Sequence, residues 1–277
     1  MKLPLRDQAR TVQQRTRSRR QSRRPFPTAF RLIGGLLLLV ITGTILLLLP
    51  GVGTTRRLEI NEAAFTATSA LSVTGLSIIT PVRDLTLFGQ IILLCLIQIG
   101  GVGFMVGAVI IFRLLGRRVS LLDRLALSDS LGLIVPGAIL RLTQQVIVTV
   151  FAIEGCGALL LWWNWRDQLG GGRAVFYAIF HAISAFCNAG FDLFSGLPDY
   201  PTGIPKDDAT LIIMGSLIFL GGLGIPVLAD FLTWPRLHRI TLHTRITVVV
   251  VIVLVCAGGI GMFLGESQPH ALLSTVP

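Results

Sequence analysis

One short sequence block occurs twice in this chain, and each copy breaks at a glycine between two long apolar runs. The first copy is FTATSALSVTGLSIIT (Phe65–Thr80), and the second, FHAISAFCNAGFDLFS (Phe180–Ser195), lies 115 positions later. The roughly ten residues before each glycine form about 15 Å of helix, half of the hydrocarbon core of a bilayer. Irregular backbone at that depth is tolerated only where it is buried in protein or lines a water-filled path. The pattern predicts two pore helices, each followed by a filter loop.

The composition also indicates a membrane protein, because 52% of the residues are hydrophobic and 14% are charged, against about 25% charged in soluble domains. Uncharged runs of about twenty residues argue against a soluble protein with a large core. The cysteines lie singly in apolar segments, so the sequence predicts neither a disulfide framework nor a zinc site and indicates small core residues. They are Cys95, Cys156, Cys187 and Cys256.

The apolar runs arrange the chain as repeated units of span, pore helix, filter loop and span. The second spans also repeat, because IGGVGFMV (Ile99–Val106) matches LGGLGIPV (Leu220–Val227). In the first of them, the glycines from Gly101 to Gly107 indicate close helix packing or a hinge. The predicted fold is therefore all-α and integral to the membrane, with two complete units and a third begun. The predicted segments are a basic disordered cytoplasmic arm (1–31), the first unit (32–112), a cytoplasmic connector (113–141), the second unit (142–232), a second cytoplasmic connector (233–245) and the first span of a third, truncated unit (246–277).

The positions of the membrane crossings follow from the same runs. The chain that leaves the first copy is predicted to be extended from Thr80 to Asp84. The predicted crossings are residues 32–49, 87–112, 142–163, 209–232 and 246–264.

The charges predict the orientation. Segments 1–31, 113–141 and 230–245 hold 18 of the 24 Lys and Arg residues, whereas the opposite loops hold nine of the 14 acidic residues. The positive-inside rule therefore predicts a multi-pass protein of the cell membrane with a cytoplasmic amino terminus and both filter loops outside. The basic arm is expected to contact anionic lipid of the bilayer.

The residues around the two repeated glycines are the candidate site. A dehydrated cation needs replacement oxygens, which rings of backbone carbonyls supply in potassium channels, and glycine lets such backbone approach the axis. The alternative is that the glycines only end re-entrant hairpins; two aligned copies between spans favour a filter. The candidate filter residues are Val73, Thr74, Gly75, Leu76, Asn188, Ala189, Gly190 and Phe191.

Other polar residues are weaker candidates. Glu154 lies inside a span, where a carboxylate is costly, and either has a buried structural partner or faces the ion path. His181 is expected to be a packed or hydrogen-bonded histidine. Asp192 follows the second filter and either raises the cation concentration at the outer mouth or belongs to a solvated acidic loop. The sequence contains no nucleophile–base set, metalloprotease motif or phosphate loop, so no catalytic residue, bound metal or covalent cofactor is predicted.

The segments TSALSVTGL, HAISAFCNAGF and QIGGVGF/FLGGLGIP resemble the membrane subunit of bacterial potassium uptake systems of the Trk/Ktr family, nearest its KtrB-like branch. The resemblance covers about residue 30 to the end. It implies four unequal units around one pathway, each with one filter glycine, here Gly75 and Gly190. It also implies potassium as the transported ion, with sodium possible, a homodimer and cytoplasmic nucleotide-binding regulatory subunits. Nothing in it implies a nucleic acid partner.

The chain departs from that family pattern, because two of the four units are missing or incomplete. Half a ring does not surround an ion, so the chain is either an amino-terminal fragment or one of two chains that complete a ring, and the unpaired fifth crossing favours a fragment. The sequence predicts transmembrane transport of a monovalent cation. The alternatives are a non-conducting fragment, a helix-packing subunit that needs other chains to form a pore, and a membrane-embedded enzyme.

Overall fold

Helices account for the regular secondary structure of the part of the chain that the computed structural model describes, residues 28–103, 139–201, 203–224, 227–228, 230–231 and 240–266. No β-strand occurs within these ranges, where an isolated bridge joins Gly53 to Leu85. The predicted all-α class is confirmed there. The chain divides into two compact units, residues 1–38 and residues 39–277.

The helices with described bounds follow one another along the chain with short connections inside each repeat. In order they are α1 (Thr28–Leu47), α2 (Ile60–Leu71), α3 (Pro81–Asp84), α4 (Leu87–Gly101), α5 (Ile139–Leu169), α6 (Gly171–Phe186), α7 (Asp208–Gly222) and α8 (Leu242–Glu266).

Within the described residues, two stretches are long and apolar enough to cross a membrane, judged by length and composition. They are Ile147–Leu169 in α5 and Leu242–Gly265 in α8, at the third and fifth predicted crossings. The other predicted crossings contain shorter apolar helices, namely Ile33–Leu47, Leu87–Gly101 and Asp208–Gly222.

Helices α2 and α6 correspond to the two repeated blocks. They contain 12 and 16 residues, which makes them about 18 and 24 Å long, shorter than the hydrocarbon core. A polar cluster starts α2, because the Glu62 carboxylate accepts the backbone N–H of Glu59 (2.9 Å) and pairs with the Arg56 guanidinium. This satisfies one of the N–H groups that a helix start leaves without an intrahelical partner.

Helix α6 lies at the centre of the packing in residues 39–277, where it contacts α4, α5 and α7, and α2 packs on α4. The short side chains of α2 let it approach its neighbours closely, and Ala63, Ala67 and Ala70 are fully buried. Around α6 the core is aromatic, with Trp165 and Phe194 also fully buried. The two short helices thus each bury one side in the protein, while α5 and α8 present apolar surface outward.

The predicted extended exit from the first block is wrong, because residues Pro81–Asp84 form the one-turn helix α3. Proline fits the first turn of a helix, and the Asp84 carboxylate stabilises that turn by accepting the backbone N–H of Thr80 at 2.6 Å.

The apolar runs also end earlier as helices than their hydropathy indicates. Helix α4 ends at Gly101 and α7 at Gly222, and the glycines two residues further on, Gly103 and Gly224, have φ values of 86° and 83°. Left-handed backbone does not continue an α-helix. The predicted fourth crossing is therefore not one uninterrupted helix.

The remaining sequence predictions differ in outcome. Three cysteines are exposed, and only Cys187 is buried, so the expectation of four core cysteines is wrong; an apolar helix surface in a membrane protein faces lipid as well as protein. Two crossings were predicted to begin at residues 32 and 142, but the helices that contain them begin earlier, at Thr28 and Ile139. Most of the basic arm, both connectors and the end of the chain lie outside the described residues.

Candidate functional site

The first glycine loop, Val73–Leu76, begins where α2 ends. The N–H groups of Val73 and Thr74 donate to the carbonyl oxygens of Ala70 (3.3 Å) and Ser69 (2.9 Å), the bond pair of a Schellman helix end. Val73 has a φ of 54°, in the left-handed region that glycine usually occupies at this position. For a β-branched residue this is a genuine outlier. Such strain persists only where the surroundings enforce it, and it clusters at functional sites.

The second glycine loop, Asn188–Phe191, leaves α6 with the same geometry. The N–H groups of Asn188 and Ala189 donate to the carbonyl oxygens of Ala185 (3.0 Å) and Ser184 (2.8 Å), and Asn188 has a φ of 57°. Each of these residues lies 115 positions after its counterpart in the first loop. The repeat in the sequence is therefore a repeat of backbone conformation, bond for bond.

The two loops meet at their glycines. Gly75 and Gly190 both have positive φ values, 76° and 73°. A Cβ atom on Gly75 would lie 2.5 Å from the Ala189 carbonyl oxygen and 3.1 Å from the Gly190 Cα atom, and one on Gly190 would lie 3.3 Å from the Gly75 Cα atom. The contact is thus made by bare backbone, and a side chain at Gly75 would overlap the second loop.

Glycines of the following helices support the ends of α2 and α6. A Cβ atom on Gly100 would overlap the carbonyl oxygen of Leu71, the last residue of α2. A Cβ atom on Gly221 would overlap the carbonyl oxygen of Phe186, the last residue of α6. Gly100 and Gly221 are the first glycines of the repeated GG pairs, so the first glycine of each pair provides close helix packing.

Side chains hold the second glycine loop from behind. The Ser184 hydroxyl group of α6 donates to the Phe191 carbonyl oxygen at 2.7 Å. Next in sequence, the Asp192 carboxylate accepts the backbone N–H groups of Phe194 (2.7 Å) and Ser195 (2.8 Å). The side chain of Phe191 is 3% exposed, so the end of this loop is packed into the protein.

His181 ties Asp192 to α6. Its Nε2 atom is 3.0 Å from Asp192 Oδ1, and its Nδ1 atom is 2.7 Å from the carbonyl oxygen of Tyr177. Burial of the Asp192 carboxyl group disfavours its charged form, but hydrogen bonds from His181, Ser195 and the Phe194 N–H favour that form more and lower its pKa to about 2. The sequence left open whether Asp192 lies at an outer mouth or in a solvated acidic loop; in the structure its carboxylate contacts His181 of α6.

The first glycine loop has no such support among the described residues. The Ser69 and Thr66 hydroxyl groups of α2 are buried without a hydrogen-bond partner there, and Leu76, the counterpart of Phe191, is 60% exposed. Within the described part of the chain, Ser77, the counterpart of Asp192, bonds inside its own turn, to the carbonyl oxygen of Ile79 at 2.6 Å.

A buried polar contact joins the two repeats near the end of α6. The Gln98 side-chain amide of α4 donates to both carboxylate oxygens of Glu154 in α5, at 3.1 and 3.0 Å. Glu154 is 3% exposed, and the Cys187 sulfur at the end of α6 is 4.0 Å from Oε1. The sequence left open which group faces Glu154, and Gln98 was not among the candidates. A polar amide in an apolar run, next to a GG pair, was the feature that could have identified it.

The structure therefore brings together part of the candidate set. Gly75 and Gly190 are in contact with each other, and Ala189 lies against Gly75. Leu76 and Phe191 face different surroundings, and Ser184, which binds the second loop, was not among the candidates. No group of three or more His, Cys, Asp or Glu side chains suited to a metal ion occurs in the described residues.

Comparison with known proteins identifies the family. A family model described as a cation transport protein, TrkH, matches residues 11–257, which is most of the chain. The chain belongs to the TrkH family. The resemblance inferred from the repeated blocks is confirmed, and TrkH membership makes the chain part of a family of membrane transporters.

Three relatives carry uptake functions in their names. The chain is 35% identical over 239 residues to Ktr system potassium uptake protein B of Bacillus subtilis (86% of this chain, 53% of the relative) and 34% identical over 229 residues to the protein of that name in Vibrio alginolyticus (82% and 50%). It is 31% identical over 240 residues to potassium/sodium uptake protein NtpJ of Enterococcus hirae (86% and 52%). The chain spans about half the length of these relatives.

Proposed function

We propose that this chain forms part of a transmembrane path for monovalent cations, above all potassium, and that the two glycine loops are part of its selectivity filter. The observation that carries the proposal is the backbone contact between Gly75 and Gly190, which lie 115 residues apart in the sequence. Loops that served only to end re-entrant hairpins would have no need to meet.

The chemistry of the loops suits a cation. Backbone carbonyls replace the hydration shell of potassium in known filters, and both loops place backbone carbonyl groups beside a glycine. Helices α2 and α6 also end at the loops, so the negative ends of both helix dipoles are directed there. Two converging helix ends favour positive charge without any ionised side chain, and the membrane potential drives the ion with about 2.3 kcal/mol per charge per 100 mV.

The path requires more backbone than two loops provide. We infer that the ring is completed by further units of the same kind, as the greater length of the relatives suggests, with both loops on the outer side and the amino terminus in the cytoplasm. A homodimer with cytoplasmic nucleotide-binding regulatory subunits is the assembly that the family resemblance implies. Sodium is a second candidate ion, because the name of one relative includes it. The chain acts as a transporter subunit and not as an enzyme.

Replacement of the two glycines tests this function. In cells without other potassium uptake systems, and with the four-unit ring complete, Gly75→Ser and Gly190→Ser should each abolish growth at low potassium and reduce the preference of uptake for potassium over sodium at least tenfold. Gly215→Ser is the matched control, because a side chain at this helical glycine meets nothing within 4 Å.

The amount of assembled protein in the membrane is measured in parallel, which separates a filter from a helix-packing module. Variants that assemble normally and keep the wild-type ion preference would refute the filter. Variants that lose only assembly would favour the packing alternative.

A further inference from the structure

We propose that His181 is a positioning residue for the second glycine loop: bound to Asp192, it holds the backbone that leaves Gly190 and so sets ion preference. The inference rests on the proposed function, because it assigns a role in the same filter. It concerns a side chain that contacts no ion and acts through a second residue.

The contact runs from the helix to the loop in two steps. Asp192 accepts the N–H groups of Phe194 and Ser195 and a bond from the Ser195 hydroxyl group, so its carboxylate fixes the turn two residues after Gly190. His181 Nε2 lies 3.0 Å from Oδ1 of that carboxylate. The turn is thereby tied to α6, the helix that carries the loop at its other end.

His181 is itself held in one orientation. Its Nδ1 atom faces the Tyr177 carbonyl oxygen at 2.7 Å, an atom that only accepts, so Nδ1 carries a proton. The Asp192 carboxylate also only accepts, so its bond to His181 requires a proton on Nε2 as well. The Leu193 N–H approaches the same Nε2 atom to 3.3 Å, farther away than the Asp192 oxygen at 3.0 Å. Both ring nitrogens therefore have a partner, and rotation of the ring would break both contacts.

The surroundings keep water away from the imidazole ring. His181 is fully buried, and its ring is 5.4 Å from Trp165, 5.6 Å from Phe180 and 5.0 Å from Phe194, measured between centroids. A carboxylate whose buried donor is removed keeps the desolvation cost without the bond. Loss of the imidazole would therefore release the turn or pull Asp192 toward solvent.

The first glycine loop shows that this tie is not needed to form the backbone. Thr66 and Ser77 occupy the positions that correspond to His181 and Asp192, and Thr66 Oγ1 has no hydrogen-bond partner in the described residues. The same helix end and left-handed residue form there regardless. The His181–Asp192 pair is therefore an addition to the second loop, and its effect is expected in the fixation of the loop more than in folding.

The test is the ion preference of the full transporter, measured as rubidium uptake in competition with potassium and sodium. His181→Leu and Asp192→Asn should each lower the potassium-over-sodium preference about tenfold, the size of one lost buried hydrogen bond to a charged group. His181→Gln, whose amide can still donate to Asp192, should recover part of it. Thr66→Val is the matched control in the first loop and should leave the preference unchanged.

The second readout is thermal unfolding of the purified protein with potassium and with sodium. If His181→Leu does not accumulate in the cell, the two milder variants are measured in its place. The potassium-specific rise in Tm should shrink in Asp192→Asn and His181→Gln even where the Tm without potassium is unchanged. Wild-type ion preference in well-folded His181→Leu, or in both milder variants where His181→Leu is lost, would overturn the inference. An ion preference that survives Gly75→Ser and Gly190→Ser would instead overturn the proposed function.

Discussion

The two glycine loops share a backbone and differ in almost everything that surrounds it. Val73 and Asn188 have φ values within a few degrees of each other, 54° and 57°, and the helix ends before them make corresponding hydrogen bonds. Yet Leu76 in the first loop is 60% exposed, whereas Phe191 in the second is 3% exposed. The helix end and the glycine thus set the loop conformation, and the surrounding side chains are not needed to form it.

This difference assigns different roles to residues at corresponding positions. Ser69 of α2 and Ser184 of α6 occupy corresponding positions. Among the described residues, the Ser184 hydroxyl group binds loop backbone and the Ser69 hydroxyl group has no partner. Repeated sequence therefore predicts repeated backbone more reliably than repeated contacts. Substitutions at corresponding positions therefore separate the effect of the shared helix end from the effect of the side-chain contacts described for the second loop.

The largest effect is expected where the two repeats are most alike, at the glycines that pack against the ends of α2 and α6. Gly100→Ala and Gly221→Ala should each lower the free energy of unfolding by about 3 kcal/mol, the upper part of the range for overpacking, because each new methyl group overlaps a backbone carbonyl oxygen that cannot rotate away. Thermal unfolding in detergent, followed by tryptophan fluorescence, measures the loss.

Gly222→Ala is the control for the larger clash. Its Cβ atom would lie 4.0 Å from the Asn188 side-chain amide, and alanine favours a helix over glycine by about 1 kcal/mol. A Gly222→Ala variant as unstable as Gly221→Ala would show that the helix end does not rest on Gly221 in the way the distances indicate.

An intermediate effect should distinguish the two serines. Ser184→Ala removes the donor of the Phe191 carbonyl oxygen in a buried site, and should lower the free energy of unfolding by about 1–2 kcal/mol. Ser69→Ala removes a hydroxyl group that is buried with no partner in the described residues, so it should be neutral or stabilising. Equal losses in both variants would mean that the Ser69 hydroxyl group also makes a stabilising hydrogen bond, as the Ser184 hydroxyl group does.

The parts of this site that the sequence predicted are local ones. A run of small residues broken by glycine, present twice, suffices to place α2, α6, Gly75 and Gly190, because helix length and helix ends depend on neighbouring residues. The contact between the two glycines was expected only on the assumption that both loops served one path.

The contacts that were missed depend on packing between distant segments. Gln98 and Glu154 lie 56 residues apart, and nothing in either apolar run indicates that they face each other. At the GG segments the sequence left close packing and a hinge as alternatives, and it did not locate the breaks at Gly103 and Gly224, because hydropathy alone does not distinguish a continuous span from one interrupted by left-handed backbone.

The smallest effect should come from exchanging the two left-handed residues themselves. Asn188→Val places a β-branched side chain at a φ of 57° and should lower the free energy of unfolding by about 1 kcal/mol, because asparagine is enriched in this conformation and β-branched residues are nearly excluded from it. The reciprocal variant, Val73→Asn, relieves that strain but gives up the packing of a half-buried valine on the core, so it should cost less than Asn188→Val or stabilise the protein. Paired unfolding curves of the two variants measure the difference directly. A larger loss for Val73→Asn than for Asn188→Val would mean that packing, and not the helix end, holds the first loop in its conformation.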